Sequence, residues 1–316
     1  MAQLLVASSP LIIAGTGGSG TRVARQALSC CGLFLGAHLN RSGDAMAFEP
    51  WLDEFIDPVL TITHGLDYRP EALPEALHER ALEDLRQRVQ AYLAELPQPG
   101  APWGLKNPRA MYLLPLWAEL FPDLRFLHLV RDGRDMALSE NQRQVQKHFL
   151  ALFGHPPPEH LPTASLELWA KVNRETRQWG ERHLGDHYRV LHFEELCRRP
   201  REMIAELCAF AGLPPPQGEQ LEAAVAVVLP LASSGRWRSA DDYSKEVFRR
   251  LGRDALTLFG YGEGAEAPAR GADLDATIRL QEERIRELEA RLAQLQGSTS
   301  WRVTAPLRKL KGMLKE

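Results

Sequence analysis

The sequence predicts an α/β fold in which a central parallel sheet is flanked by helices. Three short apolar runs carry that reading, each followed by helix-forming sequence: Leu11 to Ala14 ahead of a glycine-rich turn, a brief run ending near Lys106, and RFLHLV at residues 125 to 130. A strand that is apolar throughout and leads into a helix belongs to a sheet covered on both faces, and repetition of that unit makes the sheet parallel. In such sheets ligands gather at the carboxyl ends of the strands, where Gly15, Lys106 and Arg131 stand.

The first unit is LIIAGTGGSGTRVARQAL, residues 11 to 28. Gly15, Gly17, Gly18 and Gly20 permit tight backbone turns, and Thr21 opens a stretch with apolar residues at helical spacing. Backbone N–H groups and the positive end of a helix dipole then converge, which favours a phosphate-like anion. The stretch GLFLGAHLNRSGDAMAFEPW follows as a connector near the loop, ending in an apolar and aromatic segment around Glu49. Leu73, Leu77, Leu82, Leu85, Val89, Tyr92 and Leu96 then mark an amphipathic helix within 71 to 96. WGLKNPRAMYLLPLW gives a short strand, a turn through Asn107 and Pro108, and a helix that meets Pro115. After RFLHLV, helices are expected at 135 to 151, 164 to 184 and 200 to 211, with a strand at 187 to 193 between the last two. HPPPEHLP reads as a connector or a loop over the site, and ASSGRWRSADDYS, residues 232 to 244, precedes a last helix ending near Tyr261.

Beyond a linker at 263 to 273, Leu274, Ile278, Ile285, Leu288, Leu292 and Leu295 alternate four- and three-residue spacing around a polar slot at Gln281. That is a short coiled-coil seam, and it predicts a homo-oligomer through 274 to 296. The final STSWRVTAPLRKLKGMLKE sets Arg302, Arg308, Lys309, Lys311 and Lys315 around Trp301, Val303, Leu307, Leu310 and Met313. It suits peripheral contact with an anionic membrane through 298 to 316, and equally a solvated tail or a partner-binding helix. The organisation expected is therefore one catalytic domain over 1 to 262, the linker, and a coiled coil with a basic amphipathic tail over 274 to 316.

Composition bounds the function. With 44% hydrophobic and 25% charged residues over 316 positions the chain is ordinary globular material, and its net charge of -3 gives no reason to expect a nucleic-acid partner. The opening residues lack the pattern of a signal peptide, and no run of about 18 apolar residues suggests a membrane span. A cytoplasmic address is expected, at the inner face of the membrane if the tail binds there. Cys30, Cys31, Cys197 and Cys208 lack zinc-site spacing and read as buried free thiols; no histidine pair has ligand spacing, so no metal is expected.

Taken alone, the glycine-rich loop fits two other templates, and each lacks a part. A Walker A loop needs Lys after its last glycine, where Thr21 stands; a dinucleotide fingerprint needs a second strand ending in an acidic residue, where GAHLNRSG is turn-like. LHLVRDGRDMALS separates the alternatives. It places Arg131 at a strand end and Ser139 eight residues later, within the expected next helix, so that a fork of donors and a hydroxyl meet one phosphate. The Arg131 and Asp135 pair also fits a surface ion pair at i, i+4.

A strand, loop and helix with SGT, followed by a strand ending in R-D-x-x-D-x-x-x-S, resembles the sulfotransferases that use 3′-phosphoadenosine 5′-phosphosulfate. WGLKNPR, FPDLRFLHLVRD, YRVLHFEEL followed by RRP, and SGRWR extend the resemblance over residues 11 to 261. It implies a P-loop-like sheet and transfer of a sulfuryl group from that donor to an acceptor hydroxyl, leaving adenosine 3′,5′-bisphosphate. It also implies that Gly17, Gly18, Ser19, Gly20, Thr21 and Arg22 cradle the 5′-phosphosulfate, that Arg131 and Ser139 hold the 3′-phosphate, and that Gly235, Arg236 and Trp237 complete the donor site.

For the chemistry, Lys106 is the expected cation at the sulfuryl group or bridging oxygen. The family's base is a His or a Glu; no His follows Lys106, and Glu49 stands at the interval of the glutamate version, with Asp44 and Asp53 as competitors. Its apolar and aromatic setting is of the kind that raises a carboxylate toward a base's working range. Glu194 and Glu195 are read as braces of the strand-to-helix turn or of an Arg, and Trp169 and Trp179 as packing or surface residues. One departure stands out: the family usually has Lys or Arg before SGT, and this chain has Gly18, so Arg22 is expected to supply the leaving-group cation. The alternatives are a donor-binding scaffold without catalysis and a P-loop kinase. A tail of coiled coil and STSWRVTAPLR looks like extensions on bacterial enzymes that build or modify cell-surface polysaccharides, which points to a carbohydrate acceptor.

Overall fold

The computed structural model describes residues 9–229 and 234–262; the expected linker, coiled coil and basic tail lie outside them. Four strands form one sheet: β1 (Leu11–Gly15), β2 (Gly104–Lys106), β3 (Arg125–Val130) and β4 (Tyr188–His192). Their order is β2-β1-β3-β4, and every pairing is parallel. The register sets Ile13 beside Lys106 and Gly15 beside Leu129, so β1 and β3 run past the end of β2, and all three carboxyl ends lie on the same edge of the sheet. The α/β parallel sheet expected from the apolar runs is the fold observed.

Alternation along the strands divides the core. Ile12, Ala14, Leu105 and Phe126 face one side, and Leu11, Ile13, Leu127, Leu129 and Leu191 face the other. On the first side pack α2 (Glu49–Thr63), α3 (Glu75–Leu93) and α4 (Leu114–Leu120); on the second, α1 (Thr21–Cys30) with the later α9 (Pro200–Phe210) and α10 (Gly218–Ala226). Between β3 and β4 the chain forms α5 (Gly133–Ala137), α6 (Arg143–Phe153) and the long α7 (Leu161–His183). After β4 come α8 (Phe193–Arg198), α9 (Pro200–Phe210), α10 (Gly218–Ala226), α11 (Asp242–Leu251) and α12 (Arg253–Leu258).

One expected element is two. The helix expected over 135 to 151 breaks between α5 and α6, and Ser139 lies in the break and not in a helix. Side chains compete for the backbone there: Ser139 Oγ accepts the Asn141 N–H, and Gln142 Nε2 donates to the Ser139 carbonyl, which ends the helical ladder locally. The thiols are all free, but only Cys31 and Cys208 are buried; Cys30 and Cys197 are half-buried. Among the described residues no helix is long and apolar enough to cross a membrane.

Candidate active site

The loop from Thr16 to Gly20 leaves the carboxyl end of β1 and turns into α1. Gly20 caps α1 with φ at +94°, and a Cβ there would lie 2.1 Å from the Phe193 ring, so both backbone angle and space exclude a side chain. Ser19 is fully buried, and its Oγ, like Thr16 Oγ1, meets no hydrogen-bond partner among the described residues. Arg22 projects from the first turn of α1 and is exposed.

Gly18 stands where a side chain would be strained. Its φ is +95°, and a Cβ would stand 3.3 Å from Met136 Cε and 3.9 Å from Ser139 Oγ. Such an angle strains any residue with a side chain. The same geometry places the Ser139 hydroxyl against the loop.

Arg131, 2% exposed, follows directly on β3 and donates from Nη1 to the Gly18 carbonyl at 3.4 Å. Its Nη2 lies 3.8 Å from Asp135 Oδ2, and both side chains are buried, so the pair is an interior one and not a surface i, i+4 contact. Trp169 Nε1 donates to the Arg131 carbonyl at 3.1 Å, which gives that packing tryptophan a hold on the strand end. Asp135 gathers the distant segment: its carboxylate accepts from the Gly235 N–H at 2.6 Å and the Trp237 N–H at 3.1 Å, while its carbonyl accepts from Arg236 Nε at 3.0 Å. Gly235, Arg236 and Trp237 are thereby held on Asp135, beside Arg131. Burial, joined by repulsion from Arg131, pushes the Arg236 guanidinium below its ordinary pKa. Burial pushes Asp135 upward against those two backbone donors. The Trp237 ring carries the Arg134 guanidinium 3.7 Å from its centroid and that of Arg238 at 4.8 Å.

The second group of cations lies at the ends of β1 and β2. Lys106 is 2% exposed; its Nζ donates to Asp44 Oδ1 at 2.5 Å and to the Ser42 carbonyl at 3.1 Å. Burying a lone ammonium costs several kcal/mol, and the Asp44 pair is what makes the position tolerable. Burial still holds the Lys106 pKa below its ordinary value, with the Arg25 and Arg22 charges adding to the effect and Asp44 opposing it. Two of the three ammonium donors are thus engaged among the described residues. Arg22 and Arg25 lie close enough to influence Lys106 and each other, and Arg25 Nε stands 3.0 Å from where a Cβ on Gly43 would be.

Glu49 opens α2, and its surroundings differ from those expected. Instead of an apolar pocket it has Asn107 Nδ2 donating to Oε1 at 2.6 Å and Arg109 Nη2 to Oε2 at 2.6 Å. Arg109 Nη1 also donates to Asp53 Oδ1 at 2.5 Å, where Lys147 Nζ adds a donor at 2.8 Å. Burial acts to raise Asp53, but Lys147 and Arg109 outweigh it and hold the carboxyl below the usual range. Sequence reasoning missed Arg109, although the KNPR stretch places it three residues after Lys106; it also missed Asp135 as the anchor of the 235 to 237 turn. The brace expected of Glu194 is present: Oε1 accepts the Asp132 N–H at 3.1 Å and Oε2 the Tyr261 hydroxyl at 2.7 Å. Glu195 pairs with Arg199.

A glycine loop capped by a helix, with an arginine and a serine from the next strand end beside it, is an anion site with two halves. The sequence model of the sulfotransferase family matches residues 10–217. The chain belongs to the sulfotransferase family. It is therefore an enzyme of sulfuryl transfer, acting on an acceptor that bears a hydroxyl. No curated protein sequence matches this sulfotransferase. Solved structures similar to it include sulfotransferase STF9 from Mycobacterium avium, at 16% identity and TM-score 0.49, covering 85% of this chain and 80% of that one. Sulfotransferase STF1 from Mycobacterium tuberculosis H37Rv gives 14% and 0.47, with coverage of 78% and 76%. The sulfotransferase domain from the olefin synthase of Synechococcus PCC 7002 gives 17% and 0.46, with coverage of 80% and 95%. At these scores the family assignment rests on the sequence match.

Proposed function

We propose that this sulfotransferase moves a sulfuryl group from 3′-phosphoadenosine 5′-phosphosulfate to a hydroxyl of a carbohydrate, as on a cell-surface glycan. The observation that carries the donor is the pair of guanidiniums, Arg131 and Arg236, held together on Asp135 with Ser139 Oγ beside Gly18. Two mutually repelling cations next to a hydroxyl are what a dianionic 3′-phosphate would relieve. The residues present fit that group, with Gly235 and Trp237 supporting it through backbone donors to Asp135. The 5′-phosphosulfate falls to the loop from Gly17 to Arg22, through the backbone amides that follow Gly17, whose own N–H is held by Gln144, and through the side-chain hydroxyls of Ser19 and Thr21.

Sulfuryl transfer is an in-line displacement, so the enzyme has to take the acceptor's proton and offset charge on the transferred group and leaving phosphate. Lys106 keeps one donor for the sulfuryl or bridging oxygen, and Arg22 stands nearby as the leaving-group cation in place of a residue at 18. For the base, Asp44 is committed to Lys106 and Asp53 to two cations. Glu49 is paired as well, with Arg109, and is preferred for its place in the chain, oriented by Asn107 and Arg109 beside the end of β2. The carbohydrate acceptor and an oligomer through 274 to 296 rest on the sequence pattern; light scattering of the full chain against one ending at 271 tests the oligomer.

Radiolabelled donor incubated with the protein and fractionated extract of its source cells tests the whole reading. Label appearing in a glycan fraction is the expected result. Binding of the donor without transfer to any fraction turns the reading to a donor-binding scaffold, and protection of the fold by ATP with Mg²⁺ but not by the bisphosphate turns it to a kinase.

A further inference from the structure

The two halves of the site are joined by side chains from the start of α6. The Gly17 N–H, an amide of the glycine loop, donates to Gln144 Oε1 at 3.1 Å. Gln142 Nε2 donates to the carbonyls of Ser139 and Ala137, which fixes the turn that carries Ser139. Between these two glutamines and the loop lies a cavity of about 20 Å³ lined by Thr16, Gly17, Met136, Gln142, Gln144 and Trp169. Three of those residues bring a buried polar atom without a hydrogen-bond partner among the described residues: Thr16 Oγ1, Gln142 Oε1 and Gln144 Nε2.

These atoms are complementary to one small molecule. Gln144 Nε2 offers a proton, Gln142 Oε1 accepts one, and the Thr16 hydroxyl does either. A buried water needs roughly 10–15 Å³ and two to four polar partners, and this cavity supplies both.

We propose that the cavity binds one structural water, and that Gln144, Gln142 and this water form a clasp fixing the spacing between the Gly17–Gly20 loop and the Ser139 and Arg131 half. Gln144 is then a positioning residue: it touches neither sulfur nor acceptor, and it acts by holding both phosphate-binding halves at the separation that a nucleotide phosphorylated at both ends requires. This role rests on the donor reading above; the water does not.

A high-resolution crystal structure of the full chain tests the water. Density within ~2.7–3.2 Å of the three atoms is expected, and an empty cavity overturns the proposal. Calorimetry tests the clasp, with adenosine 3′,5′-bisphosphate, adenosine 5′-monophosphate and adenosine 3′-monophosphate as probes on the parent and on the near-isosteric Gln144→Met. The bisphosphate dissociation constant is expected to rise about tenfold, and each monophosphate's by no more than about twofold, because only a ligand spanning both halves senses their spacing. A bisphosphate change no larger than the product of the two monophosphate changes overturns the clasp. Thr16→Val, which removes a water partner and keeps the Gly17 to Gln144 bond, gives a smaller change of the same pattern should Gln144→Met fail to fold. A parent that does not bind the bisphosphate overturns the donor reading, and the crystallographic density then decides the water independently.

Discussion

The two ends of the site treat their charges differently. At β1 and β2, Lys106 pairs with Asp44, and Arg109 with Glu49 and Asp53, so cations and carboxylates are interleaved at hydrogen-bond distance. At β3, Arg131 lies beside the buried Asp135 carboxylate and Arg236 donates to the Asp135 backbone carbonyl, while the two carboxylate oxygens accept backbone donors from Gly235 and Trp237. On the proposed function, the first end, where carboxylates meet cations directly, is the one to exchange a proton, and the second, where the Asp135 carboxylate is taken up by backbone N–H groups, is the one to grip an anion.

Substitution should split the two ends cleanly. Glu49→Gln keeps the size of the side chain and one of the two accepting oxygens but removes the base, and kcat is expected to fall about a thousandfold while the affinity for adenosine 3′,5′-bisphosphate moves by less than about threefold. Parallel steady-state and calorimetric measurements check it; an unchanged kcat transfers the role to another acid. Arg131→Leu is the reciprocal experiment. It removes charge-assisted bonds at the other end, so the bisphosphate affinity is expected to drop on the order of a hundredfold. Arg131→Lys should recover only part of that loss, since an ammonium cannot reproduce a planar fork. Equal effects of Glu49→Gln and Arg131→Leu on binding would erase the distinction between the ends.

The gripping end was the more legible in sequence, and the reason is physical. Arg131 follows a continuous apolar strand and Gly20 precedes a helix, and such local patterns are written into neighbouring residues. The paired charges at the other end join segments far apart in the chain: Asp44 meets Lys106, and Glu49 meets Arg109, across helices whose packing no local period encodes. Hence Glu49 could be picked out by its place in the chain while its polar surroundings could not. The same holds for the break at Ser139, where glutamine and serine side chains override a good helical pattern, and for Asp135, whose partners lie a hundred residues on.

Arg22 sharpens the comparison from the loop. If it serves in place of a cation at position 18, Arg22→Ala should lower kcat roughly tenfold with little change in bisphosphate affinity, because the charge matters most as the leaving phosphate develops. Single-turnover assays measure this; full transfer by the variant discards the role. Gly18→Lys, which restores the family's usual residue, is expected to cost about 1–2 kcal/mol of stability in denaturant unfolding, since it forces a side chain into a left-handed backbone against Met136. A stable and faster Gly18→Lys would show that the loop tolerates what its geometry opposes.

The subtlest contrast lies in how acid acts on the two ends. Asp53 sits below its ordinary value of 3.8: burial works against this, but Lys147 and Arg109 prevail. Its unfolded form binds a proton first, so its contribution to stability is present above pH 3.8 and is lost as pH falls through the lowered folded value. Asp135 sits above 3.8 because burial outweighs its backbone donors. Its folded form binds the proton first, so its contribution diminishes as pH rises from 3.8 through the raised folded value. Unfolding free energies measured across the acid range should therefore diverge. Asp53→Asn is expected to flatten the loss of stability on the acid side of 3.8, and Asp135→Asn to steepen the rise of stability just above it. Slopes that change in the same sense for both variants would mean that the two ends carry their carboxylates in equivalent surroundings, and the contrast between a balanced catalytic end and a gripping end would not hold.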